Sequence, residues 1–184
     1  FHDNPRRKLK YTWELIEMPN ALTGGQSLVG VNTVVPNRLV AAALRARAVP
    51  ELATYSKVKT EVTVEGGSRL DVRLDGEGLP PCYVEVKNCT LVTDGLARFP
   101  DAVTTRGTKH LVELQRLVAE GARGCMFYFV QRMDAERFEP ARDIDPAYAA
   151  ELAKAVQNGV EVLVYDVTID LEKITLGSPL PYRI

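Results

Sequence analysis

Cysteine and histidine are scarce in this sequence. Of its 184 residues, three are cysteines (Cys82, Cys89 and Cys125) and two are histidines (His2 and His110). The cysteine count is odd and no pair has Cys-x-x-Cys spacing, so neither a disulfide framework nor a zinc ribbon is predicted, and a reducing compartment is favoured. Any bound metal would therefore depend on oxygen ligands, which favours magnesium or manganese. We expect His110 to be a hydrogen-bonded structural residue rather than a catalytic base.

Long apolar runs and nucleotide-binding glycine motifs are also missing. The longest apolar stretches, such as residues 125–130, fall far short of the ~20 residues that a membrane-spanning helix needs. The sequence contains no Gly-x-Gly-x-x-Gly turn and no Gly-x-x-x-x-Gly-Lys loop, so it gives no support for a dinucleotide or P-loop site. Residues 1–7 contain no apolar segment, and we therefore expect no secretory leader and a cytoplasmic protein.

The composition is typical of one globular domain, or of one domain with a fragment of another, since 46% of the residues are hydrophobic and 26% are charged. The formal net charge of −1 is unevenly distributed. Residues 1–50 carry seven Lys/Arg against three acids, whereas residues 134–184 carry five against ten. Phosphate binding is therefore expected only at a local patch in the N-terminal third. The alternative, that the gradient has no functional meaning, stays open.

Hydrophobic periodicity and turn signals predict alternating strands and helices. Helices are predicted over residues 36–49, 104–120 and 145–159, and residues 91–103 are expected to form a long connection. Strands are predicted over residues 10–17, 27–33, 57–65, 69–74, 82–87, 124–131 and 160–167, with a short edge strand within 171–184. The predicted fold is a mixed α/β sandwich, in which a three-strand antiparallel meander and parallel crossover strands are flanked by helices.

The polar face of the meander carries the candidate chemistry. Glu85 and Lys87 lie two residues apart on one strand, so they project to the same side, roughly 6.6–6.8 Å apart. Asp71 lies on the preceding strand, and residues directly opposite on paired strands have Cβ atoms ~4.5–5.5 Å apart. Two carboxylates at that distance are both ionised only when a cation lies between them. Mg²⁺ or Mn²⁺ would resolve that conflict and activate a water against a phosphodiester, and Lys87 would orient that water or stabilise the growing charge.

A surface salt-bridge ladder is the competing interpretation of the same residues. In that case Arg69, Asp71, Arg73, Glu85 and Lys87 would simply neutralise one another. Glu85-Val86-Lys87 is the only Asp/Glu-x-Lys tripeptide in the sequence, but about one is expected by chance in a chain of this length. On spacing alone the ladder is slightly favoured.

A dense series of short motifs runs along the chain from residue 3 onwards. They are Asp3-Asn4-Pro5-x-Arg7-Lys8, Tyr11-Thr12-Trp13-Glu14-Leu15, Val31-Asn32-Thr33, Asn37-Arg38-Leu39, Ser68-Arg69-Leu70-Asp71, Cys82-Tyr83-Val84-Glu85-Val86-Lys87-Asn88-Cys89-Thr90-Leu91 and Phe99-Pro100-Asp101-Ala102-Val103-Thr104-x-Arg106-Gly107-x-Lys109-His110-Leu111-x-Glu113-Leu114. In these segments the chain resembles the sugar fermentation stimulation protein family of bacteria and archaea.

The resemblance implies a restriction-endonuclease-like domain of the PD-(D/E)xK type, placed over residues 34–184, and an N-terminal OB-like DNA-binding module. Residues 1–33 are expected to be the tail of that module and its linking strands, with most of the module absent. In such a site Asp71 and Glu85 would be the metal ligands, and Lys87 would complete the catalytic set. Gln131, at the end of a buried strand, resembles the glutamine that some nucleases of this fold place near the metal.

Basic residues in three places are expected to contact DNA. The first is a basic run near the N-terminus, the second lies beside Asp71, and the third is the start of the helix after the Glu-x-Lys strand, where a helix N-terminus favours phosphate. The expected DNA-binding residues are Arg6, Arg7, Lys8, Arg69, Arg106 and Lys109. For each of them a solvated polar surface is the competing interpretation.

Three functions stay open. The first is a magnesium- or manganese-dependent nuclease. The second is a DNA-binding regulator of sugar (maltose) metabolism with a vestigial site, which is favoured because residues 41–43 are alanines where nucleases of this type often carry another acid. The third is an interaction domain that binds no nucleic acid, suggested by the overall acidity of the chain. The expected partner is DNA, with no membrane and with a homodimer as a further candidate, and the expected location is the cytoplasm, in association with the nucleoid.

Overall fold

The computed structural model describes residues 3–184. Within that range the chain forms eleven strands, three α-helices and a short 3-10 helix at Pro50–Leu52. The helices are α1 (Val35–Arg45), α2 (Thr105–Ala119) and α3 (Pro146–Gln157). The strands are β1 (Leu15–Pro19), β2 (Gln26–Gly30), β3 (Lys57–Thr63), β4 (Arg69–Asp75), β5 (Cys82–Cys89), β6 (Leu91–Thr93), β7 (Leu96–Phe99), β8 (Arg123–Val130), β9 (Arg137–Pro140), β10 (Glu161–Ile169) and β11 (Ile174–Pro179).

A six-stranded mixed sheet is the centre of the fold, with strand order β11-β10-β8-β5-β4-β3. Strands β3, β4 and β5 pair antiparallel and form the meander. Strands β5, β8 and β10 pair parallel through helical crossovers, and β11 adds an antiparallel edge. The predicted mixed α/β fold is therefore confirmed.

Helices cover the sheet on both faces, and their apolar stripes explain why. Val40 and Leu44 of α1 pack into one buried cluster with Val84 and Phe127. The stripe of α2, including Leu111 and Leu114, packs with α3 into a second cluster on the opposite face. Because both faces are covered, β8 is buried from residue 124 to residue 130, as a central parallel strand should be.

Two side-chain caps fix the helices on the second face. The Thr104 hydroxyl accepts a hydrogen bond from the Gly107 N–H at the start of α2, and the Asp145 carboxylate accepts one from the Tyr148 N–H at the start of α3. Asp145 also accepts a hydrogen bond from the Thr104 N–H at 2.8 Å, so it ties the two helix starts together. None of the helices within residues 3–184 is long and apolar enough to cross a membrane.

A second, three-stranded sheet of order β6-β7-β9 lies partly where a connection was predicted. That prediction was wrong for residues 91–99, which form a hairpin whose second strand pairs in parallel with β9. The strands have only three and four residues, too few for alternation to be recognised in a sequence. The first predicted strand also differs, since β1 begins at Leu15 rather than at residue 10.

Candidate metal and phosphate site

At Asp71 the apolar side chains of β4 change from one face of the sheet to the other, and the candidate site lies at this point. Leu70 packs into the cluster under α2, whereas Val72 packs into the cluster under α1. Two residues that are two positions apart on a regular strand would share a face. On β3, Glu61 falls between the pairs Thr60↔Val72 and Val62↔Leu70, opposite Asp71, and has a positive φ of 57°. The β3–β4 ribbon therefore twists sharply at this point.

The pairing of β4 with β5 ends at the same place. The last paired residues are Val72 and Val84. If the pairing continued by one residue, Asp71 and Glu85 would lie directly opposite each other, as predicted from the sequence. The Asp71 carboxylate instead accepts a hydrogen bond from the Val86 N–H at 2.8 Å. Its other oxygen accepts one from the Asn37 side-chain amide at 2.7 Å. Asp71 therefore lies in the gap between the separating strands, held from both sides.

Glu85 is buried, with 2% of its surface exposed. Its Oε1 atom accepts a hydrogen bond from Lys87 Nζ at 2.7 Å and also contacts His110 Nδ1 of α2. Its Oε2 atom is buried and has no hydrogen-bond partner among residues 3–184. A buried carboxylate oxygen without a donor is unfavourable, and a bound cation is one group that would satisfy it.

The surroundings of Asp71 and Glu85 shift the pKa values of the two carboxyl groups in opposite directions. Burial and the negative charge of Glu85 raise the pKa of Asp71, and the Val86 N–H and the Lys87 ammonium only partly oppose this. Burial alone would raise the pKa of Glu85, but the hydrogen bond to His110 and the charge of Lys87 hold it below its ordinary value. The surroundings therefore favour the charged form of Glu85 more strongly than that of Asp71.

The salt-bridge ladder is not what the structure contains. Arg73 pairs with Asp75 at 2.8 Å, and Arg69 pairs with Glu61 at 3.0 Å. No arginine within residues 3–184 forms an ion pair with Asp71 or Glu85. The only pair within the proposed ladder is the one between Lys87 and Glu85.

The donor chemistry fits a hard divalent cation. Asp71 and the free Oε2 of Glu85 offer carboxylate oxygens, the ligands that Mg²⁺ and Mn²⁺ prefer. Residues 3–184 contain no group of three or more His, Cys, Asp or Glu side chains placed to hold a metal. Two carboxylates agree with the usual magnesium arrangement, in which one or two protein carboxylates are completed by waters and substrate phosphates.

The predicted DNA contacts lie in different environments. Arg6 and Lys8 are exposed in the N-terminal segment, and Arg106 and Lys109 are exposed on the first turns of α2. Lys109 directly precedes His110, so this part of α2 lies near Lys87. Arg7 donates a hydrogen bond to the Thr12 hydroxyl and Arg69 is in the ion pair described above. Their roles toward DNA stay predictions.

Gln131 performs a structural task that its sequence position did not suggest. It is fully buried, and its side-chain amide donates a hydrogen bond to the Gly30 carbonyl at 2.6 Å. The Gly30 N–H donates in turn to the Gln131 carbonyl at 2.9 Å. These bonds attach the β1–β2 hairpin to the end of β8. A place for Gln131 near a metal stays a prediction.

His110 was expected to be a hydrogen-bonded structural residue, and it contacts both Glu85 and Lys87, with its Nδ1 atom 3.2 Å from Lys87 Nζ. Two arginines of α1 were not predicted to be near the site. Arg38 and Arg45 of α1 line a groove that also contains Asp71. The only signal for the two arginines was their spacing of seven residues along one predicted helix, which places them on the same side.

Comparisons with known proteins agree with this architecture. Residues 34–173 match the family described as "Sugar fermentation stimulation protein RE domain". The chain is 50% identical over 181 residues to a sugar fermentation stimulation protein homolog of Ruegeria sp. (strain TM1040), covering 98% of this chain and 76% of that protein. It is 49% identical over 177 residues to the homolog of Paramagnetospirillum magneticum, covering 96% and 72%.

The fold is similar to that of a solved structure of Pyrococcus furiosus SfsA in complex with Ca²⁺. The TM-score is 0.80 at 23% sequence identity, and the match covers 95% of this chain and 80% of that one. The relatives are similar over nearly the whole of this chain, and the family match includes Asp71, Glu85 and Lys87. The chain belongs to the sugar fermentation stimulation protein family.

Proposed function

We propose that this protein binds DNA and hydrolyses phosphodiester bonds at Asp71, Glu85 and Lys87 with the help of Mg²⁺ or Mn²⁺. One observation carries the proposal: the buried Oε2 atom of Glu85 has no partner among residues 3–184, and a second carboxylate, Asp71, lies where the neighbouring strand β4 separates from β5. A divalent cation is the simplest group that satisfies both carboxylates. Binding of Ca²⁺ by a protein of the same fold is consistent with this.

Each residue of the site would have a separate task. Asp71 and Glu85 would hold the cation, which supplies Lewis-acid chemistry toward a phosphodiester when bound. Lys87 has three N–H donors, of which one is used on Glu85, so another can stabilise charge on a phosphate oxygen. His110, which contacts both Glu85 and Lys87, would keep these two side chains in position.

DNA cleavage assays test this function. Labelled single-stranded, duplex and branched DNA is incubated with Mg²⁺ or Mn²⁺ and with the protein, Glu85→Gln or Lys87→Ala. Glu172→Gln is the matched control, because Glu172 is an exposed acid outside the site. We expect cleavage by the unmodified chain and by the control, and a loss of at least about 10²-fold in the two site variants. Cleavage that is equal in all four proteins, or absent from all, would reject the nuclease proposal.

A regulator with a vestigial site is the second candidate function. It is favoured by α1, whose residues 41–43 are alanines, and by the lack of a third metal-binding acid among the described residues. In that case the chain would bind DNA to control sugar (maltose) metabolism without turnover. Salt-dependent DNA binding without cleavage in any metal would select this candidate over the nuclease.

We also propose that residues 1–33 are the end of an OB-like DNA-binding module, as the family resemblance implies. The β1–β2 hairpin is bonded to the domain through Gly30 and Gln131, which supports a fixed connection between the two parts. An association with the nucleoid would follow from DNA binding.

A further inference from the structure

A groove of about 840 Å³ runs between α1 and the β3–β4 ribbon. Arg38, Ala42 and Arg45 of α1 form one wall, Thr60 lies on the opposite side, and Asp71 also lines it. The groove therefore leads directly to the candidate metal site. None of the basic residues expected from the sequence to contact DNA lines it.

The groove contains two arginine side chains without a partner among the described residues. Arg38 and Arg45 are exposed, and neither side chain has a hydrogen bond or ion pair with any other residue in the range 3–184. Of the two acids in the lining, Glu61 is already paired with Arg69 at 3.0 Å. Asp71 is bonded to Asn37 and Val86 at the end of the gap between the strands. Two unpaired guanidinium groups beside a phosphodiester-cleaving site indicate an anionic ligand.

The spacing of the two arginines selects the form of that ligand. Seven residues along an α-helix correspond to about 10.5 Å. Two guanidinium groups at that separation along one wall can contact two different phosphates of one strand that lies along α1. Ala42 is small and exposed, so it leaves a shallow apolar wall against which deoxyribose can pack.

We propose that this groove holds the sugar–phosphate backbone of one DNA strand, with Arg38 and Arg45 contacting two different phosphates and the strand leading to Asp71. This inference rests on the proposed function and adds the path of the substrate. It also gives α1 a role in binding, although α1 supplies no acid to the metal site. A peptide in the same groove is the alternative occupant.

A salt titration of DNA binding tests the groove separately from the chemistry. Fluorescence anisotropy of labelled single-stranded and duplex DNA is measured from low to high salt without divalent metal. The test variant is Arg38→Ala/Arg45→Ala, and the control is Arg142→Ala/Arg183→Ala, which removes the same charge from exposed positions outside the groove. A third variant, Ala42→Phe, fills the groove without changing the charge.

In the test variant we expect affinity at low salt to fall at least about tenfold, since two charge-assisted contacts are lost. The slope of log K against log[salt] should become shallower by about 1.8 for duplex or about 1.4 for single strands. Ala42→Phe should weaken binding, while the control should keep nearly the slope of the unmodified chain.

Two results would count against these ideas in different ways. If the unmodified chain binds DNA with a steep salt dependence but the test variant keeps the slope of the control, or Ala42→Phe binds normally, the groove does not hold the strand. The proposed function would then stand without it. If the unmodified chain shows no salt-dependent DNA binding, the DNA-binding function itself fails, and the groove proposal fails with it.

Discussion

The side-chain amide of Asn37 donates a hydrogen bond of 2.7 Å to the Asp71 carboxylate. This bond connects α1 to β4, although the two residues are 34 positions apart in the sequence. It places a neutral amide beside Asp71, at a position where an acid would add a carboxylate to the proposed metal site. Because Asp71 already lies near the charge of Glu85, a third carboxylate here would be tolerated only with a cation bound. Asn37 is therefore the position at which a metal ligand can be added to the site.

Asn37→Asp should make the stability of the chain depend on metal. Without divalent cations we expect the free energy of unfolding to fall by about 1–3 kcal/mol, because a hydrogen bond is replaced by repulsion between carboxylates. Millimolar Mn²⁺ should restore the loss by binding the folded state. Urea unfolding with and without Mn²⁺ measures both effects. Asn37→Ala is the control. It keeps Asp71 and Glu85, so Mn²⁺ should stabilise it no more than it stabilises the unmodified chain, whereas Asn37→Asp should gain more; an equal gain in both variants would contradict the assignment.

Gly30→Ala should loosen the β1–β2 hairpin. A Cβ atom at residue 30 would overlap the side chain of Gln131, which is fully buried and cannot move away easily. We expect a loss of about 1–3 kcal/mol in the free energy of unfolding, as for other overpacked sites. Gly25→Ala is the matched control in the same hairpin, because its Cβ would meet only the Thr23 hydroxyl, at 3.5 Å. Equal stability of the two variants would show that Gln131 does not hold the hairpin.

Tyr128 and Tyr148 share one buried hydroxyl–hydroxyl hydrogen bond of 2.6 Å. Removing one hydroxyl leaves the other without a partner, so each single Phe variant should lose about 1–3 kcal/mol. The double variant should lose less than the sum of the two, because no polar group then remains unpaired. A double-mutant cycle by urea unfolding measures this coupling, and strictly additive losses would contradict it.

Asp166 should give the fold a pH dependence of its own. Burial raises its pKa above the ordinary value, and a hydrogen bond from the Ser178 N–H opposes this only in part. A carboxyl with a raised pKa in the folded state favours folding at low pH, and that advantage is lost as pH rises through the folded-state pKa. Asp166→Asn keeps an acceptor for the Ser178 N–H but removes the titrating carboxyl group. The Tm of this variant minus the Tm of the unmodified chain should therefore increase from pH 3 to pH 7. A pH-independent difference in Tm would contradict this.

Local sequence patterns predicted the parts of the fold that depend on periodicity. Alternation in β4 and the continuous apolar run of β8 located the meander and the buried centre of the sheet, and the strand positions of Glu85 and Lys87 predicted that they share a side, as their 2.7 Å contact confirms. The twist at Asp71 could not be predicted in this way, because it depends on the positive φ of Glu61 in a neighbouring strand.

Contacts between residues far apart in the sequence account for what was missed in the site. His110 reaches Glu85 only because α2 packs on β8, the strand that pairs with β5, and this is a matter of tertiary packing rather than of spacing. The strands of the second sheet are too short for an alternation of apolar and polar residues to be recognised in the sequence. The groove of Arg38 and Arg45 depends on the position of β3 beside α1, so the arginines alone gave no indication of a cavity.

Direct titration of Mn²⁺ by calorimetry tests most directly whether Asp71 and Glu85 hold a divalent cation. The chain is compared with Asp71→Asn, Glu85→Gln and the exposed control Glu172→Gln, with circular dichroism confirming that each is folded. We expect one ion bound per chain in the unmodified protein and in the control, and binding at least about tenfold weaker in each site variant. Unchanged Mn²⁺ binding in both site variants, or no binding in any protein, would contradict a shared cation site.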